Sequence, residues 1–375
     1  MAGGYRPTLM AQVQHSQIEQ WRAAGLYDPN DSCAGERLEL LEWISSQGAS
    51  LAEMVTANAA GQLISLVSDR TMRPAPTLTA NDIAARTGLP LATVQQIRRA
   101  TGFPSADPAA TVFCEHEVQM FELFAAADAF FSRDELLHFI RVMASSFRRV
   151  AEAATEMFLR DVEAPLQEGR RDEVTLAKAS LAGVQLVDNV TQIFGPLFRM
   201  HLQATTSNSR RAGSEDYSSV RLAIGFVDLS GFTTRTAAAT SEELLELVVG
   251  FESAALDLVS GQGGRLIKLI GDEVMFSTIT AEEACAVARG LLAWADERGV
   301  RARGGLAHGP VVTAGGDVYG STVNLASRIA DIAVPGEVLV DEGVTRAAPY
   351  MEFEPAGRRQ LKGFSDPVRL WALDR

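Results

Sequence analysis

Two aspartates and a lysine stand where the surrounding pattern gives them little structural reason to be. Asp228 follows the apolar run RLAIGFV (221–227), Asp272 lies between GGRLIKLI and EVMFSTI, and Lys268 interrupts the first of those two runs. Each aspartate closes a stretch of strand length, so both can converge at one sheet edge. Paired hard carboxylates suit Mg2+ or Mn2+, which prefer oxygen donors and share them with phosphates. The plainer alternative is turn chemistry, because Asp at a strand end hydrogen-bonds nearby backbone. A third segment, GGDVYGSTVNLASRI, supplies Asp317, Asn324 and Arg328. Asn324 and Arg328 are four residues apart in a helical stretch and so share one face. An amide and a guanidinium placed there can hold phosphate oxygens and stabilise developing charge, or form an incidental solvated pair. Taken singly, Lys268 reads as an edge-strand gatekeeper, and Lys362 in RRQLKGFSDPVRLW as a solvated residue before a glycine turn.

The elements that must position these residues follow from the periodicity. TSEELLELVVGFESAALDLV (240–259) and TAEEACAVARGLLAWADERG each open with Thr-x-x-Glu and read as capped helices. Gly271-Asp272 is a tight turn that joins two strand-like runs into a hairpin. RARGGLA, VVTAGG, EVLV and VRLWAL add further strands. Strand–helix–strand–strand–helix–strand is the ferredoxin-like order, an α+β sheet expected to carry its helices on one face. Before it, residues 36–202 read as helical throughout, rich in Ala and Leu. ERLELLEWISSQG stops at Gly48. SRDELLHFIRVMASSFRRVAEAATEMFLRDVEAP opens with a Ser132-to-Glu135 capping pattern and is expected to run to Pro165. AKASLAGVQLVDNVTQIFGPLFRMHLQ (177–203) reads as a long amphipathic helix kinked at Pro196. ATTSNSRRAGSEDYSS (204–219) is polar and small, the composition of a linker or hinge. The fold class is therefore multidomain: an all-helical domain over 1–203, a linker over 204–219, and an α+β ferredoxin-like domain over 220–375.

Together the three chemical segments, in this order and at these separations, resemble the class III nucleotidyl cyclases over about residues 218–375. The resemblance implies roles. Asp228 and Asp272 match the aspartates that hold two Mg2+ or Mn2+ ions on a triphosphate, with the Leu229 carbonyl as a further ligand. Asn324 and Arg328 match the pair that orients the ribose and stabilises the transition state, and Lys362 the lysine that grips the terminal phosphates. Lys268 and Asp317 match the two base-reading positions. Lys can only donate and Asp can only accept, which complements the 6-amino group and N1 of adenine; guanine reverses both polarities. The resemblance thus implies ATP as substrate, cyclic AMP and pyrophosphate as products, and guanylate cyclase as the alternative. Because the family builds its site between two catalytic domains and this chain has one, a head-to-tail homodimer is implied. In one respect the sequence departs from some relatives, which carry a basic residue shortly before the position of Asp317, where VVTAGG has none.

The helical half resembles the N-terminal autoregulatory domain of a group of actinobacterial cyclases, some of which respond to pH or bury a lipid. A proton or a lipid is accordingly the expected regulator. Histidine titrates near neutrality, and the chain has five: His15, His116, His138, His201 and His308. His201, just before the linker, stands out. Residues 78–103 read as a helix-turn-helix, with Arg98 and Arg99 late in its second helix. A nucleotide-sensing DNA binder is the corresponding alternative. Composition argues against it. The 375 residues carry 34 Lys+Arg against 47 Asp+Glu, a net charge of −13, with neither half basic, so no nucleic acid partner is expected. Three scattered cysteines without a C-x-x-C pair, and no apolar run of about 18 residues, lead to the expectation of a cytoplasmic protein without a transmembrane segment.

Overall fold

The computed structural model describes residues 6–168, 172–211, 219–230 and 240–374, which divide into two units at Phe198/Arg199. The first unit is helical. Helices α1 (Arg6–Ala23), α2 (Ala34–Ser46), α3 (Leu51–Ala59) and α4 (Leu66–Met72) surround a core built on Trp21, Leu40, Leu41, Ile44 and Met54. A second core gathers Ile83, Val94, Ile97 and Phe121 from α5 (Ala80–Thr87), α6 (Leu91–Ala100) and α7 (Val118–Ala127), with Phe113 from the segment between α6 and α7. Helices α5 and α6 are the helix-turn-helix segment. Thr79 and Asp82 form a full capping box before α5, and Gly88 ends it at φ 73°. Arg98 donates to the Pro104 carbonyl at 2.8 Å and lies 5.0 Å over the Phe113 ring, while Arg99 donates to Ser105 Oγ at 2.7 Å. Both arginines are thus committed to their own domain.

Two long helices complete this half. Helix α8 spans Arg133–Phe158 and gives way at Leu159–Glu163 to a wider turn of five residues before α9 (Ala164–Glu168). The expected single run to Pro165 is therefore interrupted. Helix α10 spans Glu173–Arg211 and continues through Pro196. It also occupies the first part of the stretch expected to be a linker. Ser and Thr cost a helix little once it is nucleated, and Arg210 and Arg211 complement the negative end of its dipole. The rest of that stretch, 212–218, lies outside the described residues.

The second unit is a mixed sheet. Strands β1 (Val220–Ser230), β2 (Arg265–Ile270), β3 (Glu273–Thr278), β4 (Arg301–Ala314), β5 (Asp317–Tyr319), β6 (Val338–Asp341), β7 (Phe353–Arg359) and β8 (Val368–Leu373) lie in the order β2-β3-β1-β4-β6-β8-β7, with β5 paired to β4. The first four strands of that path have the expected ferredoxin-like order. Helices α11 (Ser241–Gly261) and α12 (Ala281–Glu297) cover one face, where Val227, Phe276 and Leu306 meet Phe251, Leu291 and Ala288. Both helices start in the capping boxes expected at Thr240 and Thr280. The expectation that helices occupy one face only is corrected here. Helix α13 (Ser321–Ile332) covers the other face, where Ala326 and Ala330 pack with Ile224, Phe226 and Ala307. β1 is apolar on both sides because both sides are buried. At Gly305 the approach is so close that an added Cβ would lie 2.2 Å from the Ala330 amide nitrogen. A short helix α14 (Glu342–Ala347) follows β6. Among the described residues no helix is long and apolar enough to cross a membrane.

Candidate active site

Strand pairing brings the two aspartates together. β1 pairs with β3 on one side and β4 on the other, setting Asp228 opposite Glu273 and Arg303. The β2–β3 hairpin turns at Gly271 (φ 65°), a backbone angle that glycine adopts without strain, and this delivers Asp272 to the same edge. The Leu229 amide donates to the Asp272 carbonyl at 3.1 Å, locking the two segments side by side. Burial, and then the charge and hydrogen bonding of Asp228, hold the Asp272 carboxyl above its ordinary value. The neighbouring Glu273 is pushed up to about 7, first by burial and then by Asp228, Asp331 and Asp272. This edge concentrates negative charge in a partly desolvated place.

Arg303, which the sequence reading passed over, answers part of that charge. Its Nε and Nη2 donate to Asp228 Oδ2 at 3.1 and 3.0 Å, and its Nη1 donates to the Asp331 carbonyl at 2.9 Å. The signal was present in RARGGLA, where a charge sits inside an otherwise apolar strand in the same way as Lys268 does. Asp228 and Asp272 fit a divalent cation: two hard carboxylates face one another, and their repulsion is what a cation relieves. Among the described residues no group of three or more His, Cys, Asp or Glu side chains is set to hold a metal. Two carboxylates completed by backbone, water and phosphate are the sparse donor set that Mg2+ accepts.

The second pair joins β2 to β5. A register shift between Leu266 and Lys268 interrupts the β2–β3 ladder, and such bulges re-aim side chains. Asp317 opens β5 directly after the Gly315-Gly316 turn from β4. Lys268 Nζ lies 2.7 Å from Asp317 Oδ2, both side chains partly exposed. Burial tends to raise the Asp317 carboxyl, but hydrogen bonds from Lys268 and the Val318 amide, with the lysine charge, leave it below its ordinary value. Forty-nine residues apart in sequence, a lone donor and a lone acceptor are thus set side by side.

Asn324 and Arg328 both lie on α13, one turn apart, with Asn324 exposed and Arg328 partly exposed. Arg328 donates to Asp331 Oδ2 at 2.8 Å. Lys362 is exposed in the turn before β8, and Leu229 is buried at 1% exposure. Among the described residues, no hydrogen bond or ion pair joins Asn324, Arg328, Lys362 or the Lys268–Asp317 pair to Asp228 or Asp272. Of the histidines, His15, His116, His138 and His201 are exposed; His308 is half-buried and its imidazole is held below its ordinary value, chiefly by burial. A cavity of about 960 Å3 lies between α11 and α12, lined by Leu247, Gly250 and Trp294, and shares no lining residue with any of these pairs.

The chain as a whole is similar to known proteins. Residues 19–205 match the adenylate cyclase regulatory domain, and residues 214–374 match the adenylate and guanylate cyclase catalytic domain. An uncharacterized protein of Mycobacterium tuberculosis is 30% identical over 357 residues, covering 94% of this chain and 92% of its own length. A pH-sensitive adenylate cyclase of the same species is 30% identical over 375 residues, covering 93% and 91%. An adenylate cyclase of Streptomyces coelicolor is 39% identical over 214 residues, covering 54% and 55%. The chain belongs to the nucleotidyl cyclase family in which an adenylate cyclase regulatory domain precedes an adenylate and guanylate cyclase catalytic domain.

Proposed function

We propose that the protein is an adenylate cyclase that converts ATP to 3′,5′-cyclic AMP and pyrophosphate. The observation that carries the choice of base is the Lys268–Asp317 contact at 2.7 Å. A donor and an acceptor held together complement the N1 acceptor and 6-amino donor of adenine. Guanine would set its own donor and acceptor against like partners, at about 1–3 kcal/mol for each unsatisfied group. The names of the Streptomyces coelicolor relative and the pH-sensitive relative support the same choice.

In this reading the 3′ oxygen of the ribose attacks the α-phosphorus in line, its proton is released, and the bond to the β-phosphoryl oxygen breaks. Asp228 and Asp272 would hold the divalent cations, with the Leu229 carbonyl as a further donor. When bound, those cations supply Lewis-acid polarisation of the hydroxyl and neutralise charge on the leaving oxygens. Asn324 orients the ribose, and Arg328 stabilises charge on the reacting phosphoryl group. Lys362, on an exposed turn, meets the terminal phosphates. Arg303 is the positioning residue: by donating twice to Asp228 Oδ2 it fixes where that carboxylate points.

The site is shared between two copies. Asp228 and Asp272 of one copy work with Lys268, Asp317, Asn324, Arg328 and Lys362 of the second. The test is turnover of ATP and GTP, followed by mixing of Asp228→Ala/Asp272→Ala protein with Arg328→Ala protein. ATP is expected to be preferred in kcat/KM by at least about 30-fold, the equivalent of two mismatched contacts. Each variant alone should be inactive, and the mixture should regain part of the wild-type rate. A GTP preference would overturn the base assignment, and a dead mixture the shared site.

A further inference from the structure

Helix α13 ends on a carboxylate that its position does not favour. Asp331 is the last residue but one of this helix, whose final turn carries no basic residue. The negative end of the helix dipole lies there, so a carboxylate in that turn is repelled by the carbonyls beside it. The charge of Asp331 is also felt at Glu273, together with the charges of Asp228 and Asp272. Asp331 thus adds negative charge to an edge that is already acidic. Its ion pair with Arg328 is a partly exposed contact three residues apart on one helix. Such pairs contribute about 1 kcal/mol or less to folding. Stability alone gives this carboxylate little reason to be here.

Its contacts point to another role. The Asp331 carboxylate accepts from Arg328 Nη1 at 2.8 Å, and its carbonyl accepts from Arg303 Nη1 at 2.9 Å. Arg303 Nη1 also reaches the Ala333 carbonyl at 3.5 Å, while its Nε and Nη2 hold Asp228 Oδ2 at 3.1 and 3.0 Å. One guanidinium on β4 therefore ties the end of α13 to β1. Ile329 and Ala330, which lie between the two partners in sequence, are buried. The backbone that carries Arg328 and Asp331 is thus fixed, and what is left to set is the direction of the Arg328 side chain. A free arginine side chain carries about 2 kcal/mol of rotamer entropy. Asp331 imposes one geometry by taking a hydrogen of Nη1, and leaves Nε and Nη2 to meet two phosphoryl oxygens.

We propose that Asp331 is a positioning residue for Arg328 in the cyclase reaction. Its carboxylate, anchored through its own backbone to Arg303, points the Arg328 guanidinium before the phosphoryl group arrives. The inference rests on the role proposed above for Arg328. A guanidinium stays charged with or without an acidic partner, so Asp331 controls direction and not ionisation. Local stability is given up at this helix end for a group already arranged when charge develops.

The test is steady-state turnover of ATP with saturating Mn2+ by the full chain. Asp331→Ala should lower kcat about tenfold and leave the KM for ATP within about twofold, because the lost geometry matters in the transition state. Its denaturation midpoint should be no lower than that of the wild type, since a carboxylate leaves the negative end of a helix. Asp331→Glu, which reaches Arg328 from the same helical position, should recover at least about a third of the rate. Arg328→Gln should turn over at least about 100-fold more slowly than wild type, and adding Asp331→Ala to it should cost less than about twofold more. The Mn2+ concentration for half-activation of Asp331→Ala should stay within about twofold of wild type, which separates an action through Arg328 from one on Asp228. Unchanged kcat in Asp331→Ala, or the same tenfold loss in the Arg328→Gln background, overturns the positioning role. A rise in kcat overturns it too and makes Asp331 a restraint on Arg328. A large shift in half-activation with kcat kept overturns it in favour of a role at the cation edge. Wild-type turnover by Arg328→Gln would instead remove the role of Arg328 itself, so the two failures are read separately.

Discussion

Helices α12 and α8 carry the same kind of amphipathic pattern and meet opposite fates. α12, with 17 residues, buries eight of them, from Ala281 to Ala295, against the flat apolar face of the sheet. α8, with 26 residues, buries Leu137 and Ile140. A sheet offers a helix a broad surface formed by strands from distant parts of the chain, whereas a lone helical hairpin offers one narrow seam. An apolar stripe therefore states that a face will be covered and leaves open by what. In the cyclase half the cover is intramolecular, and a few charges such as Asp228 and Asp272 are left at strand ends. In the helical half much of the apolar stripe of α8 stays exposed.

The largest effect that sharpens this contrast is expected at Asp272. Asp272→Asn keeps the shape of the side chain but halves the charge available to a divalent cation. Turnover should fall at least about 1,000-fold, roughly 4 kcal/mol of transition-state stabilisation. The folded cyclase domain should be no less stable, because the substitution removes one of two repelling carboxylates. Initial rates with Mn2+ and a denaturation midpoint measure the two together. Loss of both activity and stability would place Asp272 among the structural residues.

Next comes packing itself. Leu291 is fully buried between α12 and the sheet, so Leu291→Ala should cost about 2–5 kcal/mol in folding. Val150→Ala removes less, and from an exposed seam, so it should cost less than about 0.5 kcal/mol in the chain's own folding. Its denaturation midpoint should therefore stay close to that of the wild type. Equal costs at the two positions would erase the distinction between the two regions.

Much of this was legible in the sequence where one residue type has one physical job. The Thr-x-x-Glu boxes at Thr240 and Thr280 formed as read, because both partners lie within one turn. Gly271-Asp272 made its hairpin for the same local reason. What escaped was non-local. The continuous apolar run of β1 signals burial on both faces, yet helix α13, which covers the second face, lies about a hundred residues downstream. Arg303 hid because its partner Asp228 is 75 residues away and meets it only through strand register. Lys268 and Asp317 could be paired from family likeness, but their direct contact depends on a bulge in β2 and a turn after β4 that periodicity does not reveal. The polar stretch 204–219 looked like a linker because Ser and Thr favour loops; a helix already under way carries its first part to Arg211.

The smallest expected effect tests how the cyclase core treats a buried charge. Asp341 is 9% exposed, caps α14 through the Val344 amide at 2.9 Å and accepts from the His308 amide at 3.2 Å. Burial nonetheless holds its carboxyl above the ordinary value. The folded chain therefore binds this proton at pH values where the unfolded chain has already released it. The stabilisation is fully present below the unfolded value and is lost as pH rises through the folded one. Asp341→Asn can accept from both amides but cannot titrate. Whatever constant offset the amide brings, the stability of the variant relative to wild type should rise across the window just above pH 3.8 and then level off. Denaturation midpoints of the two proteins between pH 3.5 and pH 7 measure the slope. Parallel curves would mean that the two amide hydrogen bonds offset the effect of burial, and that this core holds the ionised carboxylate without a penalty.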